Sequence, residues 1–334
     1  MHDTRLVNPL TTTTLERVQA FRHDALLHST TEEFVHRAAS FVREAVVANE
    51  AVLVMIDSDK TGLLRAELRD DDGPQNDNDQ VSAQPVVFAE VDDVANNPAR
   101  LMSMWLEFVD EHAGEGRTVR GFGESIWPSR SLAQRGECHI HEAILNHTFG
   151  TRDDFWLMCA YDVSKLPGDT VAAGMAHHPH IVRNGTRRTS DTFRAPQHDS
   201  TLGAPMDPPP ENTHNCTLVP VGEVRRSVDR FLGSAGFSDV QRYDFVLAVS
   251  EVISNSLQYG GGIGDYTMWI DDDVAIFESS DRGVITDPLL GLRRPSASSS
   301  GGRGLWLANH LCDLVQLRST SAGSRVRMHM RRRP

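Results

Sequence analysis

Glu251 and Asn255 stand four residues apart in a stretch of helical periodicity, which stacks a carboxylate and an amide on one helix face. An amide oxygen suits magnesium, a hard cation that takes oxygen ligands, and a neighbouring carboxylate can accept the proton of an attacking nucleophile. Asp281-Arg-Gly283 follows a strand pattern and holds an acid where it can accept a hydrogen bond from an exocyclic amine. Gly301-Gly302-Arg303-Gly304 precedes Leu305, Ala308 and Leu311 at helical spacing; glycines there let the backbone approach a phosphate at a helix N-terminus. Gly323-Ser324 opens the closing apolar stretch. Each piece alone is ordinary: polar residues on a solvated helix face, a turn acid, a glycine-rich loop. In this order they are the parts required by a site for ATP with a bound magnesium ion.

The elements that must position them are written in the flanking residues. The helix bearing Glu251 starts after Ser238-Asp239, runs through Phe245, Val249, Val252, Ile253 and Leu257, and stops at Gly260. A helix before it sets Val224, Val228, Phe231 and Leu232 on one face and ends at Gly236. Tyr266 to Ile270 and Val274 to Phe277 predict a hairpin around Asp271-Asp-Asp273.

The first half alternates helices and strands. Thr30 with Glu33 makes a capping box for a helix carrying Phe34, Ala38, Phe41 and Ala45 to about Asn49. Ala51 to Ile56 reads as a buried parallel strand ended by Asp57-Ser-Asp59. Asp70 to Gln80 reads as a loop or solvated edge, and Pro85 to Phe88 as a strand. Asn97-Pro98 starts a helix through Leu101, Trp105, Phe108 and Val109. Arg120 to Glu124 and Trp156 to Ala160 supply strands around a helix over 131–149. The expectation is an α/β sandwich with a mainly parallel sheet over 15–186, a linker over 187–215 stiffened by Pro208-Pro-Pro210, and an α+β domain over 216–334.

A chain of 334 residues suits two domains. A net charge of -13 argues against a nucleic-acid partner, and Arg331-Arg-Arg333 reads as a solvated tail. Cys138, Cys159, Cys216 and Cys312 lie in no paired metal-ligand spacing and read as reduced thiols. Cys138-His139-Ile140-His141 lies in a predicted helix whose neighbours point different ways, which favours a structural role over zinc. The chain opens without a leader-like apolar core and holds no stretch of bilayer length, so the expectation is a cytoplasmic protein without a membrane partner.

In their order, the C-terminal pieces resemble the Bergerat-type (GHKL) ATPase fold shared by histidine kinases and gyrase. Glu251-Val-Ile-Ser-Asn255, the Gly-Arg-Gly-Leu sequence ending at Leu305 and the short span from Asp287 to Ser300, read as a small lid, look most like the anti-sigma-factor serine/threonine kinases. That resemblance implies ATP and Mg2+ as cofactors, Glu251 as catalytic base and Asn255 as metal ligand. It implies that Asp281 reads adenine and that Gly283, Gly301, Gly302, Gly304 and Ser324 line the nucleotide. It also implies a sigma factor and an anti-sigma antagonist protein as partners, and pairing of two copies through the ATP domain. One departure is Ile285, where the family carries a second glycine.

The first half resembles the MEDS sensory domain, a diverged relative of the KaiC and RecA fold. The likeness rests on Phe21-Arg-His23, Arg120-Gly-Phe-Gly-Glu124, His141-Glu142 with Leu145-Asn146, Tyr161-Asp162 and His178-Pro179. No P-loop is present: Asp59-Lys-Thr61 lacks the glycines that cradle phosphate, so no ATP is expected there. His23, Glu124, Glu142, Asn146 and Tyr161 fall near predicted strand ends, where open α/β sheets bind ligands, and are candidates to receive a small-molecule or protein signal. The bland alternative for them is satisfied core polar groups. For the whole chain the alternatives are a non-catalytic module in which ATP shapes a partner-binding surface, and a histidine kinase, whose dimerisation segment the proline-rich 187–215 does not resemble.

Overall fold

The computed structural model describes residues 20–70, 86–91, 96–113, 116–196, 203–211, 213, 215–217, 220–262, 264–295 and 302–333. The expected loop over Asp70–Gln80 falls almost entirely outside these residues, as do Gly301 and the lid residues 296–300.

The N-terminal part runs β1 (Arg22–His28), α1 (Thr31–Val47), β2 (Ala51–Ile56), α2 (Ser58–Asp70), β3 (Val86–Glu90), α3 (Pro98–Ala113), β4 (Val119–Gly123), α4 (Leu132–Phe149), β5 (Phe155–Asp162), α5 (Gly168–His177), β6 (His180–Arg183) and β7 (Thr186–Thr189). Its sheet has the order β3-β2-β4-β5-β1-β6-β7, parallel except for the antiparallel β6–β7 edge. Helices cover both faces. One core joins Trp105 and Met102 of α3 to Ile140 and Ile144 of α4, and the other joins Phe34, Ala38 and Phe41 of α1 to Leu64 of α2. Every residue of β2 is buried as a result, which explains its unbroken apolar run. The glycines of β4 serve α3: a β-carbon at Gly121 would stand 2.6 Å from the Trp105 ring, so only glycine lets the indole lie on the strand.

Caps fix the helix starts. Thr30 accepts from the Glu33 amide, Asn97 Oδ1 from the Ala99 amide at 3.1 Å, and Ser131 with Gln134 forms a full capping box. Asp57, read as the end of a strand, accepts from the Lys60 amide at 2.7 Å and so begins α2. Residues 187–189 of the expected linker belong to β7, because Ile181 and Val182 present an open strand edge to them.

The C-terminal part comprises β8 (Cys216–Thr217), α6 (Val221–Ser234), α7 (Asp239–Tyr259), β9 (Gly264–Asp271), β10 (Val274–Asp281), α8 (Arg303–Leu311), β11 (Leu314–Thr320) and β12 (Gly323–Arg331). The antiparallel sheet β11-β12-β10-β9-β8 packs against α6, α7 and α8 around Phe245, Val249, Phe277, Leu305 and Met328. Arg331–Arg333 are exposed, as a solvated stretch would be, and are tied down at the surface: Arg331 ends β12 and pairs with Asp273 at 2.6 Å, and Arg333 pairs with Asp313 at 3.1 Å.

The two parts touch through buried polar contacts. Asn97 donates to the Asn309 carbonyl at 2.9 Å, and Arg100 donates to the carbonyls of Asn309 at 3.1 Å and His310 at 2.6 Å. Leu292 packs into the core of the N-terminal part. Among the described residues, no helix is long and apolar enough to cross a membrane.

Candidate functional site

Ser238 caps α7 at its start and Gly260 stops it, and between them Glu251 and Asn255 face α8. Both are half-buried, and both line a cleft of about 630 Å3 together with Asp281, Gly283, Gly302, Gly304 and Ser324. Gly301 alone of the expected nucleotide residues lies outside the described residues.

Gly302 sits at φ 84, a left-handed conformation that favours glycine, and caps α8 without a side-chain hydrogen bond. A helix N-terminus presents backbone amides and the positive end of the helix dipole, which suit an anion. A β-carbon at Gly304 would lie 2.9 Å from Glu251 Oε2 and 3.1 Å from Asn255 Nδ2. The first turn of α8 thus rests directly on the acid and amide, a cradle that any larger residue would fill.

The opposite wall is held by a chain of short hydrogen bonds. Asp281 Oδ1 accepts from the Gly283 amide at 2.8 Å, which orients the carboxylate at the end of β10. Ser324 donates to the Gly283 carbonyl at 2.7 Å, so the 2.9 Å bond between Ser319 and Ser324 must carry the Ser319 hydrogen. Ser319 Oγ then accepts from the Ile285 amide at 2.8 Å. Both ends of the Gly283–Ile285 turn are pinned, so a branched residue at 285 is built into a fixed backbone. Ser319, and Gly260 packed beneath Asp281, are members of this wall that sequence reasoning did not identify.

The N-terminal candidates divide. His23, Glu142, Asn146 and Tyr161 meet in one buried cluster beneath α4, against the face of the sheet and not along one edge of it. The reason is that His23 lies near the start of β1 while Tyr161 lies near the end of β5, and Glu142 reaches down to them from the helix above. Glu124 stands apart, after β4, ion-paired with Lys60, which also binds Asp57 at 3.0 Å. Cys159 and His178 belong to the cluster as well, and neither stood among the candidates.

Electrostatics there follow from burial. The His178 imidazole is pushed down to about 3 by burial and by His23 beside it. Burial and the Glu142 charge push the Cys159 thiol and the Tyr161 phenol well above their ordinary values. Burial works against ionised Glu142, but the His23 hydrogen bond and the facing histidines outweigh it and hold the carboxyl well below the usual range. Cys138, His139 and His141 diverge along α4, Cys138 donating to the Ser125 carbonyl at 3.3 Å.

A second cleft, of about 840 Å3, lies between the two parts along residues 204–208 and holds none of the expected nucleotide residues.

Residues 22–179 match the family described as MEDS, MEthanogen/methylotroph, DcmR Sensory domain, and residues 216–330 match the Histidine kinase-like ATPase domain. No curated protein matches the chain. Among solved structures, the crystal structure of the RsbU and RsbW domains of Rv1364c from Mycobacterium tuberculosis aligns at 18% identity with a TM-score of 0.28. That alignment covers 36% of this chain and 34% of the other, a minority of its length. The two family matches give one description: the chain carries a MEDS-like sensory segment followed by a histidine kinase-like ATPase domain.

Proposed function

We propose that the chain is a protein serine/threonine kinase of the anti-sigma-factor type, which binds a sigma factor and phosphorylates its antagonist protein under control of the N-terminal domain. The observation that supports this most is the meeting of Glu251 and Asn255 with the first turn of α8, across one cleft from Asp281 and Ser324. The residues fit the group: glycine at 304 leaves the cradle open, and Gly302, in a left-handed conformation, turns the chain into the α8 N-terminus beside it.

In this reading ATP with Mg2+ supplies the phosphoryl group when bound. The Asn255 amide oxygen holds the metal, and the α8 amides hold phosphate oxygens. Asp281 accepts from the adenine amine, and Ser324 keeps the Gly283 turn in place below it. Glu251 accepts the proton of the incoming hydroxyl. A pure nucleotide switch has no need of that carboxylate. Control by the N-terminal domain is supported by Asn97 and Arg100, which hold the C-terminal end of the helix whose first turn forms the phosphate face. Pairing of two copies through the ATP domain is part of the same proposal.

The test is label transfer from γ-labelled ATP to antagonist proteins, comparing wild type with Glu251→Gln. General-base loss predicts a fall of about 100-fold or more. Equal labelling by both proteins would remove the base and leave a non-catalytic switch. Acid-labile label on the chain itself would make it a histidine kinase.

A further inference from the structure

We propose that His23, Glu142, Cys159 and His178 form a binding site for one divalent transition-metal ion of the zinc class inside the N-terminal domain. The four come from β1, α4, β5 and the segment after α5, all are buried, and their ligand atoms lie within 4.8 Å of one another. His23 Nε2 is 3.0 Å from Glu142 Oε2 and 3.4 Å from Cys159 Sγ; Glu142 Oε2 is 3.7 Å from both Cys159 Sγ and His178 Nε2. A tetrahedral ion with N, O and S bonds of about 2.0–2.3 Å spaces its donors about 3.3–3.6 Å apart. The cluster has the size of that tetrahedron before any ion enters.

The surrounding hydrogen bonds aim the donors inward. Asn146 donates through Nδ2 to the His177 carbonyl at 2.6 Å, which turns its Oδ1 to His23 Nδ1 at 3.0 Å. His23 Nδ1 must therefore carry a hydrogen. His178 Nδ1 faces the Gly174 carbonyl at 2.7 Å and must carry one too. Both Nε2 atoms are left to converge on Glu142. His178 Nε2, in a residue with 0% exposure, finds no hydrogen-bond partner among the described residues, a cost that burial makes large. Backbone or amide acceptors on the second imidazole nitrogen are the usual support of a metal-bound histidine. Glu142 Oε1 is supported in turn by Ser125 at 3.3 Å and Tyr161 at 3.5 Å.

Charge balance points the same way. A thiolate and a carboxylate neutralise a divalent ion, so the loaded site carries no net charge in a region sealed from water. Loading releases the Cys159 thiol proton and the proton that His23 shares with Glu142, both to solvent. Two imidazoles, one thiolate and one carboxylate suit zinc and not magnesium or calcium.

The experiment uses the full-length protein, stripped by a chelator under reducing conditions and titrated with Co2+ in excess Mg2+. The expected result is one equivalent per chain, tetrahedral cobalt absorption, a cysteinate-to-cobalt charge-transfer band, and bleaching by equimolar Zn2+. Cys159→Ser removes the band, Asn146→Ala weakens binding by about 10–100-fold, and Cys216→Ser, an exposed thiol elsewhere, changes neither. Absence of stoichiometric binding, or a spectrum without thiolate character, overturns the site on wild-type protein alone, whether or not the variants fold. So does binding by Cys159→Ser with wild-type affinity and band. None of these readouts depends on kinase activity.

Discussion

Arg318→Met isolates a buried carboxylate at the joint between the two domains. Glu137 of α4 is 3% exposed and is ion-paired with Arg318 of β11, with Gln316 Nε2 as a second donor at 3.2 Å. Removing the guanidinium leaves the charge with one neutral partner, and breaking a buried pair from one side costs about 3–5 kcal/mol. In a unit of this size that corresponds to a fall of about 6–20 °C in the thermal transition at pH 8. Burial already raises the Glu137 carboxyl above its ordinary value against the pull of Arg318, and losing Arg318 raises it further. The sign follows from proton counts. A carboxyl that binds its proton more tightly folded than unfolded loses stability as pH rises from the unfolded value, about 4.3, through the folded one. The variant extends that loss to higher pH, so its deficit against wild type is smaller at pH 5 than at pH 8. Adding Glu137→Gln removes the stranded charge and restores most of the stability. A deficit below about 1 kcal/mol, the range of a solvated pair, would show that the domains do not close on each other as described.

Asp281→Asn removes a charged acceptor from the cleft and weakens ATP binding about 10- to 150-fold by calorimetry, from about 1.5–3 kcal/mol of charge-assisted hydrogen bonding; unchanged affinity would remove Asp281 from the nucleotide. Ser324→Ala orphans the Gly283 carbonyl and the Ser319 hydroxyl, lowering stability by about 1–3 kcal/mol in denaturant unfolding, whereas Ser324→Thr preserves both bonds.

The C-terminal site was legible because its information is local. Glu251 and Asn255 share a helix face by spacing alone, Ser238 and Gly260 mark where that helix starts and stops, and Gly302 marks the next start. Ser319 was not legible, because its role depends on the β11–β12 register that places it opposite Ser324. The same limit separates the N-terminal residues. His23, Asn146 and Tyr161 stood out as polar residues near predicted strand ends, but Cys159 and His178 join them only when β1, β5 and the end of α5 come together. Glu124 shares the residue type and the neighbouring strand, yet its partner is Lys60, on a helix whose apolar contacts are Leu64 and Leu68. Of its three leucines Leu63 points to solvent, and Leu64 and Leu68 alone are too weak a period to reveal that helix in the sequence.

Two helices of the N-terminal part, α3 and α4, carry contacts to the C-terminal part. On α4, Glu142 takes part in the buried cluster and Glu137, five residues before it, grips Arg318 of the ATPase sheet. On α3, Asn97 and Arg100 occupy the last carbonyls of α8, where a cation suits the negative end of the helix dipole. Ser103, one turn on, donates to the Leu292 carbonyl in the segment before α8. A helix of nine residues is about 14 Å long, so its ends move together as a rigid rod. Under the proposed control by the N-terminal domain, a change at the cluster that shifts α4 against α3 would act on α8 at its far end and reach Gly304, and with it Glu251 and Asn255. That is the physical basis on which a state of the N-terminal domain would alter the nucleotide site.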